Sequence, residues 1–354
     1  MVQPTFTPPP PVRPGDRIAV VSLSGGLPEL FPAPYELGLR RLRSVFGLEP
    51  VEYPSTRLLR STPRQRADDL HTAFADPSVA AVLASIGGED QITVLPLLDR
   101  ELIGGHPKRF LGYSDNTNLL AFLWNTGIVG YHGGSVMCEL GRPGAMAPLT
   151  EESLRAALFT SGPYELRPPE RFGEVNRPWD DPATFTAEPE TGPAPGWCWH
   201  GPWEGPGGVV EGRTWGGCLE VVARLLADGR EIARDPAAYD NCVLFLETSE
   251  ELPSAEEVFR LLGELGERGL LGRFSALLMG RARAWSLAER RGAREREEYR
   301  RAQREAVLRA LSRYAPRLPV VFGVDLGHTD PQLVVPYGGV VRVDGPARRI
   351  TVRY

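Results

Sequence analysis

The stretch Arg109-Phe110-Leu111-Gly112-Tyr113-Ser114-Asp115-Asn116-Thr117-Asn118-Leu119-Leu120 decides how this chain reads. A short apolar run, Phe110-Leu111, passes through Gly112 to a serine, and a helix-like run starts at Asn116 and continues to Trp124. The pattern is strand, tight turn, helix, with Ser114 at the turn. A hydroxyl placed there stands off the end of a sheet, beside the free N–H groups of a helix start, where developing negative charge is favoured. A nucleophilic serine needs such a setting. A plain N-cap role for Ser114 or Asp115 fits the same residues, and on this stretch alone the cap is the commoner explanation. The pattern also departs from the G-x-S-x-G elbow, because Asn116 stands where the second glycine would be.

Upstream, Pro14-Gly15-Asp16 is a turn and Arg17-Ile18-Ala19-Val20-Val21-Ser22 has the pattern of a buried strand. Helical patterns follow around Tyr35 to Val45 and from Pro63 to Phe74. Ser24-Gly25-Gly26 lacks the spacing of a dinucleotide-binding loop, so a plain strand-to-helix connection explains it. Ala80 to Ser85 is the next strand, closing on Ile86-Gly87-Gly88-Glu89-Asp90, with a helical turn near Ile92 to Leu98. Downstream of the quoted stretch, Gly127 to Tyr131 reads as a strand. The alternation predicts a parallel sheet with helices on both faces, whose working groups collect beyond the carboxyl ends of the strands. Gly87-Gly88 and Ser114 share that placement. A tight turn alone would account for the glycine pair; the shared placement is what points to a site.

At 354 residues the chain is long for one core, so two domains are expected. A net charge of −5 gives no electrostatic reason for a nucleic-acid partner. Lys108 is the sole lysine among 40 basic residues, a bias that reads as base composition more than function. Cys138, Cys198, Cys218 and Cys242 form no C-x-x-C pair, which argues against a zinc site or a disulfide framework and for a reducing cytosol. The proline-rich N-terminus lacks a signal-peptide pattern, and no apolar run approaches the ~20 residues of a membrane span. A cytoplasmic protein with no membrane partner is expected.

From Pro163 to Gly208 the composition shifts to proline, glycine and four tryptophans, Trp179, Trp197, Trp199 and Trp203, with no periodicity. This divides the chain into an N-terminal α/β domain (1–162), a linker loop (163–208) and a C-terminal domain (209–354). The tryptophans argue against disorder. They are candidates for stacking on a flat ligand, or they only bury the linker against the two domains. Beyond the loop, Val209 to Gly212 reads as a short strand and Trp215 to Cys218 as the opening of a helix through Leu226. Asn241 to Glu247 is a buried strand ending on a carboxylate, and Ser254-x-x-Glu257 is a capping box for a helix to Arg268. Ser275 to Met279 is a further strand. Leu287 to Tyr314 mixes Arg and Glu at helical spacing, as a solvated, salt-bridged helix does. Short strands close the chain at Pro319 to Phe322, Gln332 to Val335, Gly339 to Val343 and Arg349 to Arg353.

Ser114, Glu247 and His328 all fall at strand or turn ends, and each has an ordinary alternative as a cap, an ion-pair partner or a turn residue. Triads are recognised by geometry and not by order, so no spacing rule connects the three. The motifs around them do. Gly112-Tyr113-Ser114-Asp115-Asn116-Thr117, Leu244-Phe245-Leu246-Glu247-Thr248 and Gly327-His328-Thr329-Asp330-Pro331 together resemble the LD-carboxypeptidase family of serine peptidases, and within it the microcin C self-immunity branch. Pro14-Gly15-Asp16, Ala67-Asp68-Asp69-Leu70, Ala73-Phe74-Ala75-Asp76, Ile86-Gly87-Gly88, Tyr131-His132-Gly133-Gly134 and Gly216-Gly217-Cys218-Leu219 extend the resemblance over nearly the whole chain. Two departures stand out: Gly133-Gly134 replaces a frequent Gly-Pro, and the Arg-rich segment near Leu287 to Arg304 has no counterpart.

The resemblance implies a flavodoxin-like or Rossmann-like parallel-sheet N-terminal domain and a smaller β-rich C-terminal domain, with the cleft between them. It implies Ser114 as nucleophile, His328 as general base and then acid, and Glu247 as the group orienting His328. The backbone N–H groups of Asp115 and Gly88 would hold the oxyanion, and Gly87 would let backbone approach the substrate. The Trp-rich loop would supply substrate contacts, Trp179 first. The expected reaction is metal-independent and cofactor-free cleavage of an aminoacyl- or peptidyl-nucleotide conjugate, in a homodimer. Removal of D-alanine from murein tetrapeptides is the alternative within the class, and a non-catalytic two-domain binding protein the alternative outside it.

Overall fold

The computed structural model describes residues 5–203 and 208–354. Residues 1–4 of the proline-rich N-terminus and 204–207 of the Trp-rich stretch lie outside them. The described chain builds two large sheets and a two-stranded ribbon of Arg171–Phe172 with Gly192–Pro193. The first orders its strands Val335–Tyr337, Gly130–His132, Arg109–Gly112, Val79–Ala84, Arg17–Val21 and Glu49–Glu52. All are parallel except Val335–Tyr337, which adds antiparallel to Gly130–His132. The continuous apolar runs Ile18 to Val21 and Ala81 to Ala84 are buried along their length, as strands covered on both faces must be. The helix Pro63–Ala75 starts on a capping box, Thr62 with Gln65, and a proline in its first turn.

The second sheet runs Pro163–Leu166, Arg349–Arg353, Val340–Asp344, Val209–Cys218, Val243–Glu247, Ala276–Gly280, Val320–Val324 and Cys198–His200. Its centre, from Val209–Cys218 to Val320–Val324, is parallel, and its flanks are antiparallel. The α/β class with a parallel first sheet and a second, β-rich sheet is as the resemblance implied. The capping box of Ser254 and Glu257 opens the helix Ala255–Glu267 as the sequence predicts.

Three local readings are corrected. The 163–208 stretch is not without structure: Pro163–Leu166 and Cys198–His200 form the two outer strands of the second sheet. Strands this short leave too few alternations for periodicity to register. Trp215-Gly216-Gly217-Cys218 ends the strand Val209–Cys218 and does not open a helix, which begins at Leu219. The Arg-rich helix spans Ala293–Tyr314, and its face is not merely solvated. Arg296 and Arg300 both reach Oε1 of the buried Glu174, at 3.3 and 2.7 Å, so this helix grips the stretch that follows the first sheet.

The sheets are stitched together close to the quoted motif. Gly217 has φ +111, and a Cβ there would sit 2.6 Å from the Thr117 side chain. The Cys218 amide donates to Thr117 Oγ1 at 3.1 Å. The end of a central strand in one sheet thereby meets the start of the helix Thr117–Thr126 in the other. Arg109, fully buried, donates to the carbonyls of Pro9, Pro10 and Thr160 and fixes the proline-rich N-terminal segment.

Candidate active site

Ser114 follows the strand Arg109–Gly112 by two residues and adopts φ 62, a left-handed conformation that non-glycine residues seldom take. Such backbone strain costs roughly 1–3 kcal/mol and persists only where the surroundings over-determine it. Here they do. Asp115 is buried, its carboxylate accepting from Ser24 Oγ at 2.6 Å, the Gln91 amide at 2.9 Å and Asn118 Nδ2 at 2.8 Å. Asn116, which replaces the elbow's second glycine, donates to the Ile86 and Tyr113 carbonyls and accepts from Gln91 Nε2. Gly112, two residues before the serine, supplies the room, since a Cβ there would meet the Asn116 side chain at 3.0 Å. The turn thus keeps its shape through an asparagine and one glycine. Gly87 abuts it: a Cβ on Gly87 would lie 2.8 Å from Ser114 Cβ, 3.1 Å from its Oγ and 3.4 Å from the Asp115 amide nitrogen. Gly88, at φ +158, has the same constraint against Ser24.

Glu247 is the last residue of the strand Val243–Glu247 and is fully buried. Gly280 and Gly327 make its space, since a Cβ on either would fall 2.6 or 2.5 Å from a Glu247 atom. Its Oε2 lies 2.6 Å from His328 Nδ1, while Oε1 is buried without a partner among the described residues. A second carboxylate occupies the other ring nitrogen: Glu250 Oε2 lies 3.0 Å from Nε2. Burial alone would push the imidazole down, but Glu247 and Glu250 hold it well above the ordinary histidine range. Burial would likewise raise the Glu250 carboxyl, yet His328 and, further off, Arg283 bring it down to about 2. The Glu250 side chain is 56 % exposed, so solvent screens its contact far more than that of Glu247. The resting imidazole is therefore clamped on both sides by carboxylates that favour its protonated form.

The loop carrying His328 is fixed by bonds to the three residues just before it, Asp325, Leu326 and Gly327. Trp197 Nε1 donates to Asp325 Oδ2 at 2.9 Å, and the same carboxylate pairs with Arg281 at 2.7 Å. His132 Nε2 donates to the Leu326 carbonyl at 3.0 Å. Gln332 Nε2 donates to the Gly327 carbonyl at 2.9 Å while its Oε1 accepts the Gly134 amide at 2.7 Å. The Gly133-Gly134 departure now has a reason: a proline at 134 would have no N–H for Gln332, and φ there is +74. Burial pushes His132 down to about 4, so its ring is neutral and serves as a donor. The Tyr113 ring packs edge-on against both His132 and His328, with centroids 6.2 and 5.0 Å away, and so seats the imidazole against the residue preceding Ser114.

Beside His328 lies a cavity of about 160 Å³. Trp179, Tyr113, Glu139, Arg142, Arg283 and Thr329 contribute to its wall. Of the four tryptophans, Trp179 alone lines it, standing edge-on to Phe31 at 5.7 Å. The other three are placed elsewhere: Trp197 on Asp325, and Trp199 packed against the buried Trp203 at 5.2 Å. Burial raises the Glu139 carboxyl to about 7 against the hydrogen bonds that Ser135 and Tyr113 donate to it. Glu139, Glu250, His132 and Gln332 were not singled out from the sequence. His132 lies inside the Tyr131 to Gly134 motif, Gln332 directly after Pro331 and Glu250 two residues after Thr248, so proximity to those motifs is the signal that points to them. Among the described residues no group of three His, Cys, Asp or Glu side chains is arranged to hold a metal ion, and no helix is long and apolar enough to cross a membrane.

The two sheets are the fold of a class of peptidases that both halves of the chain match. The chain belongs to the LD-carboxypeptidase family: residues 18–133 match the family's N-terminal domain and residues 211–343 its C-terminal domain. It is similar to the microcin C7 self-immunity protein MccF of Escherichia coli, 26% identical over 294 residues that cover 82% of this chain and 78% of that one. Among solved structures it resembles an MccF-like protein from Streptococcus pneumoniae in complex with AMP, with a TM-score of 0.84, 25% identity and coverage of 96% of this chain and 99% of that one. MccF in complex with glutamyl sulfamoyl guanosine superposes with a TM-score of 0.82, 25% identity and 98% coverage of both chains.

Proposed function

We propose that this chain is a serine amidase that hydrolyses the amide bond of aminoacyl- or peptidyl-nucleotide conjugates. Ser114 attacks the scissile carbonyl, His328 takes the hydroxyl proton through Nε2 and passes it to the leaving nitrogen, and Glu247 keeps the other proton on Nδ1. The oxyanion is received by the backbone N–H groups of Asp115 and Gly88. Removing one such donor typically costs roughly 2.7–4 kcal/mol. Water then enters from the vacated side and releases the acyl group, with His328 acting as base a second time. Before the first step Glu250 must leave Nε2, because an imidazole already bonded there has no lone pair for the serine proton. A substrate that fills the cleft and displaces Glu250, with the Nε2 proton leaving on that carboxylate or passing to solvent, would thus free the base as it binds.

The observation that carries the choice of substrate is the position of Trp179 in the wall of the cavity beside His328. A nucleotide base gives that ring a flat partner, as base–aromatic stacking requires. The nucleotide ligands named for the related structures support the same choice. The second reading, carboxypeptidase action on murein tetrapeptides, rests on the family matched by both halves of the chain. Incubating the protein with an aminoacyl-sulfamoyl adenosine and a murein tetrapeptide, each with and without exhaustive chelation, tests both. Release of the amino acid from the nucleotide, unaffected by chelation, is the expected result. Cleavage of the tetrapeptide alone selects the second reading, and binding without cleavage of either defeats both.

A further inference from the structure

Arg283 lies three residues beyond the strand Ala276–Gly280, and its side chain contributes to the wall of the His328 cavity. The residue is 8 % exposed. Its hydrogen bond runs from Nε to the Trp285 carbonyl at 2.8 Å, and among the described residues no carboxylate is in ion-pair contact with it. The arginines around it are different. Arg281 pairs with Asp325 at 2.7 Å, Arg142 with Asp330 at 2.7 Å, and Arg296 and Arg300 with Glu174. Glu250, the carboxylate whose field reaches Arg283, is spent on His328. A guanidinium withdrawn from water without a counter-ion is costly, and buried charges are ordinarily paired. A second polar group in the same wall is also unmet: Thr329 Oγ1 is buried with no partner. The guanidinium without a carboxylate and the hydroxyl without a partner therefore belong to one cavity, next to the imidazole.

We infer that Arg283, with the Thr329 hydroxyl, forms an anion subsite that takes a carboxylate of the substrate. The planar fork of guanidinium donors matches a carboxylate in two parallel bonds, and a neutral amide in its place offers one acceptor fewer and no charge. The inference rests on the amidase reading for which end of the ligand faces His328. Two sources supply the carboxylate: the free terminus of a peptide whose last residue is the leaving group, or the side chain of an acidic aminoacyl group.

Equilibrium binding to a Ser114→Ala background, by calorimetry, separates this from turnover. The probes are aspartyl- against asparaginyl-sulfamoyl adenosine, and a murein tetrapeptide against its C-terminal amide. One pair should show at least a tenfold preference for the acid, and Arg283→Met should reduce that ratio to near one while Arg283→Lys keeps part of it. The first pair reporting the preference identifies the side chain as the source, the second the terminus. Equal weakening of acid and neutral ligand by Arg283→Met, or no acid preference in either pair, overturns the inference. The parent ratio and the lysine variant keep the test readable if the methionine variant does not fold. Loss of turnover in Ser114→Ala, measured separately, bears on the nucleophile alone.

Discussion

The carboxylate of Glu250 lies 3.0 Å from Nε2 of His328, on the opposite side of the ring from Glu247 at 2.6 Å. Besides these two carboxylates, the neutral His132, the Tyr113 ring and the Glu251 carboxylate act on this imidazole, and Arg283 acts on Glu250. Because the carboxylates raise the folded-state value, the free enzyme needs a higher pH before His328 can accept a proton. Glu250→Gln should move the acid limb of kcat/KM to lower pH, with about a tenfold gain on that limb for each unit moved. The kcat profile, which reports the substrate complex with Glu250 already displaced, should move little. Parallel movement of both profiles would show that Glu250 stays on the ring during turnover.

The same contact has a stability consequence. The raised imidazole contributes stability that is fully present below the ordinary histidine value and lost as pH rises through its own. The depressed Glu250 carboxyl contributes stability present above the ordinary glutamate value and lost as pH falls towards about 2. The melting temperature of the parent should therefore exceed that of Glu250→Gln most in the window between those limits. A difference that grows at alkaline pH would contradict the charged pair.

Ser114→Ala, His328→Ala and Glu247→Ala should each remove nearly all hydrolysis, roughly 10⁴-fold or more. The double His328 and Glu247 variant should be little worse than either single one, since such groups act as a unit. At φ 62, Ser114→Gly should be more stable than Ser114→Ala by about 1 kcal/mol, although equally inactive. Strictly additive losses, or substantial turnover in Ser114→Ala, would return Ser114 to the role of a helix cap.

Gly87→Ala introduces a methyl 3.1 Å from Ser114 Oγ and 2.8 Å from its Cβ. One of the two backbones must shift, and a misplacement of this size near the chemistry can cost about 10²-fold in rate. The loss should fall in kcat, with the melting temperature reporting how much of the strain spreads.

His132→Ala leaves the Leu326 carbonyl without its donor, a loss worth about 1–3 kcal/mol when the group stays buried. Stability and kcat should both fall with KM almost unchanged, because the ring holds the loop before His328. His132→Gln, which keeps a donor, should recover part of both. An unaltered kcat in His132→Ala would mean that the bonds of Asp325 and Gly327 suffice.

Trp179→Ala should raise KM for a nucleotide conjugate by ~5- to 150-fold, the equivalent of ~1–3 kcal/mol of stacking, and scarcely affect a peptide without a base. Trp197→Phe should act differently, lowering stability through the lost bond to Asp325 and leaving substrate preference alone. Equal KM values for Trp179→Ala and its parent on both substrates would reduce Trp179 to packing on Phe31.

What the sequence determined by itself was local. Apolar runs ending on Gly112, Glu247 and the Gly87-Gly88 pair marked strand ends, and Ser254-x-x-Glu257 is a cap that needs no distant partner. Those signals are carried by neighbouring residues, so they survive without a fold. Tertiary structure alone decided the rest. His132 and Leu326 are 194 residues apart, and Gly134 and Gln332 are 198 apart, yet their bonds orient the loop before His328. Trp197 and Trp179 share one stretch and one side-chain chemistry, but one is consumed by Asp325 and the other faces the cavity. Glu250 and Arg283 are ordinary surface types in the sequence. Only packing shows that one carboxylate rests on the imidazole and that one guanidinium is buried without a carboxylate, because charge pairing and burial depend on what the fold brings near and not on what the chain places next.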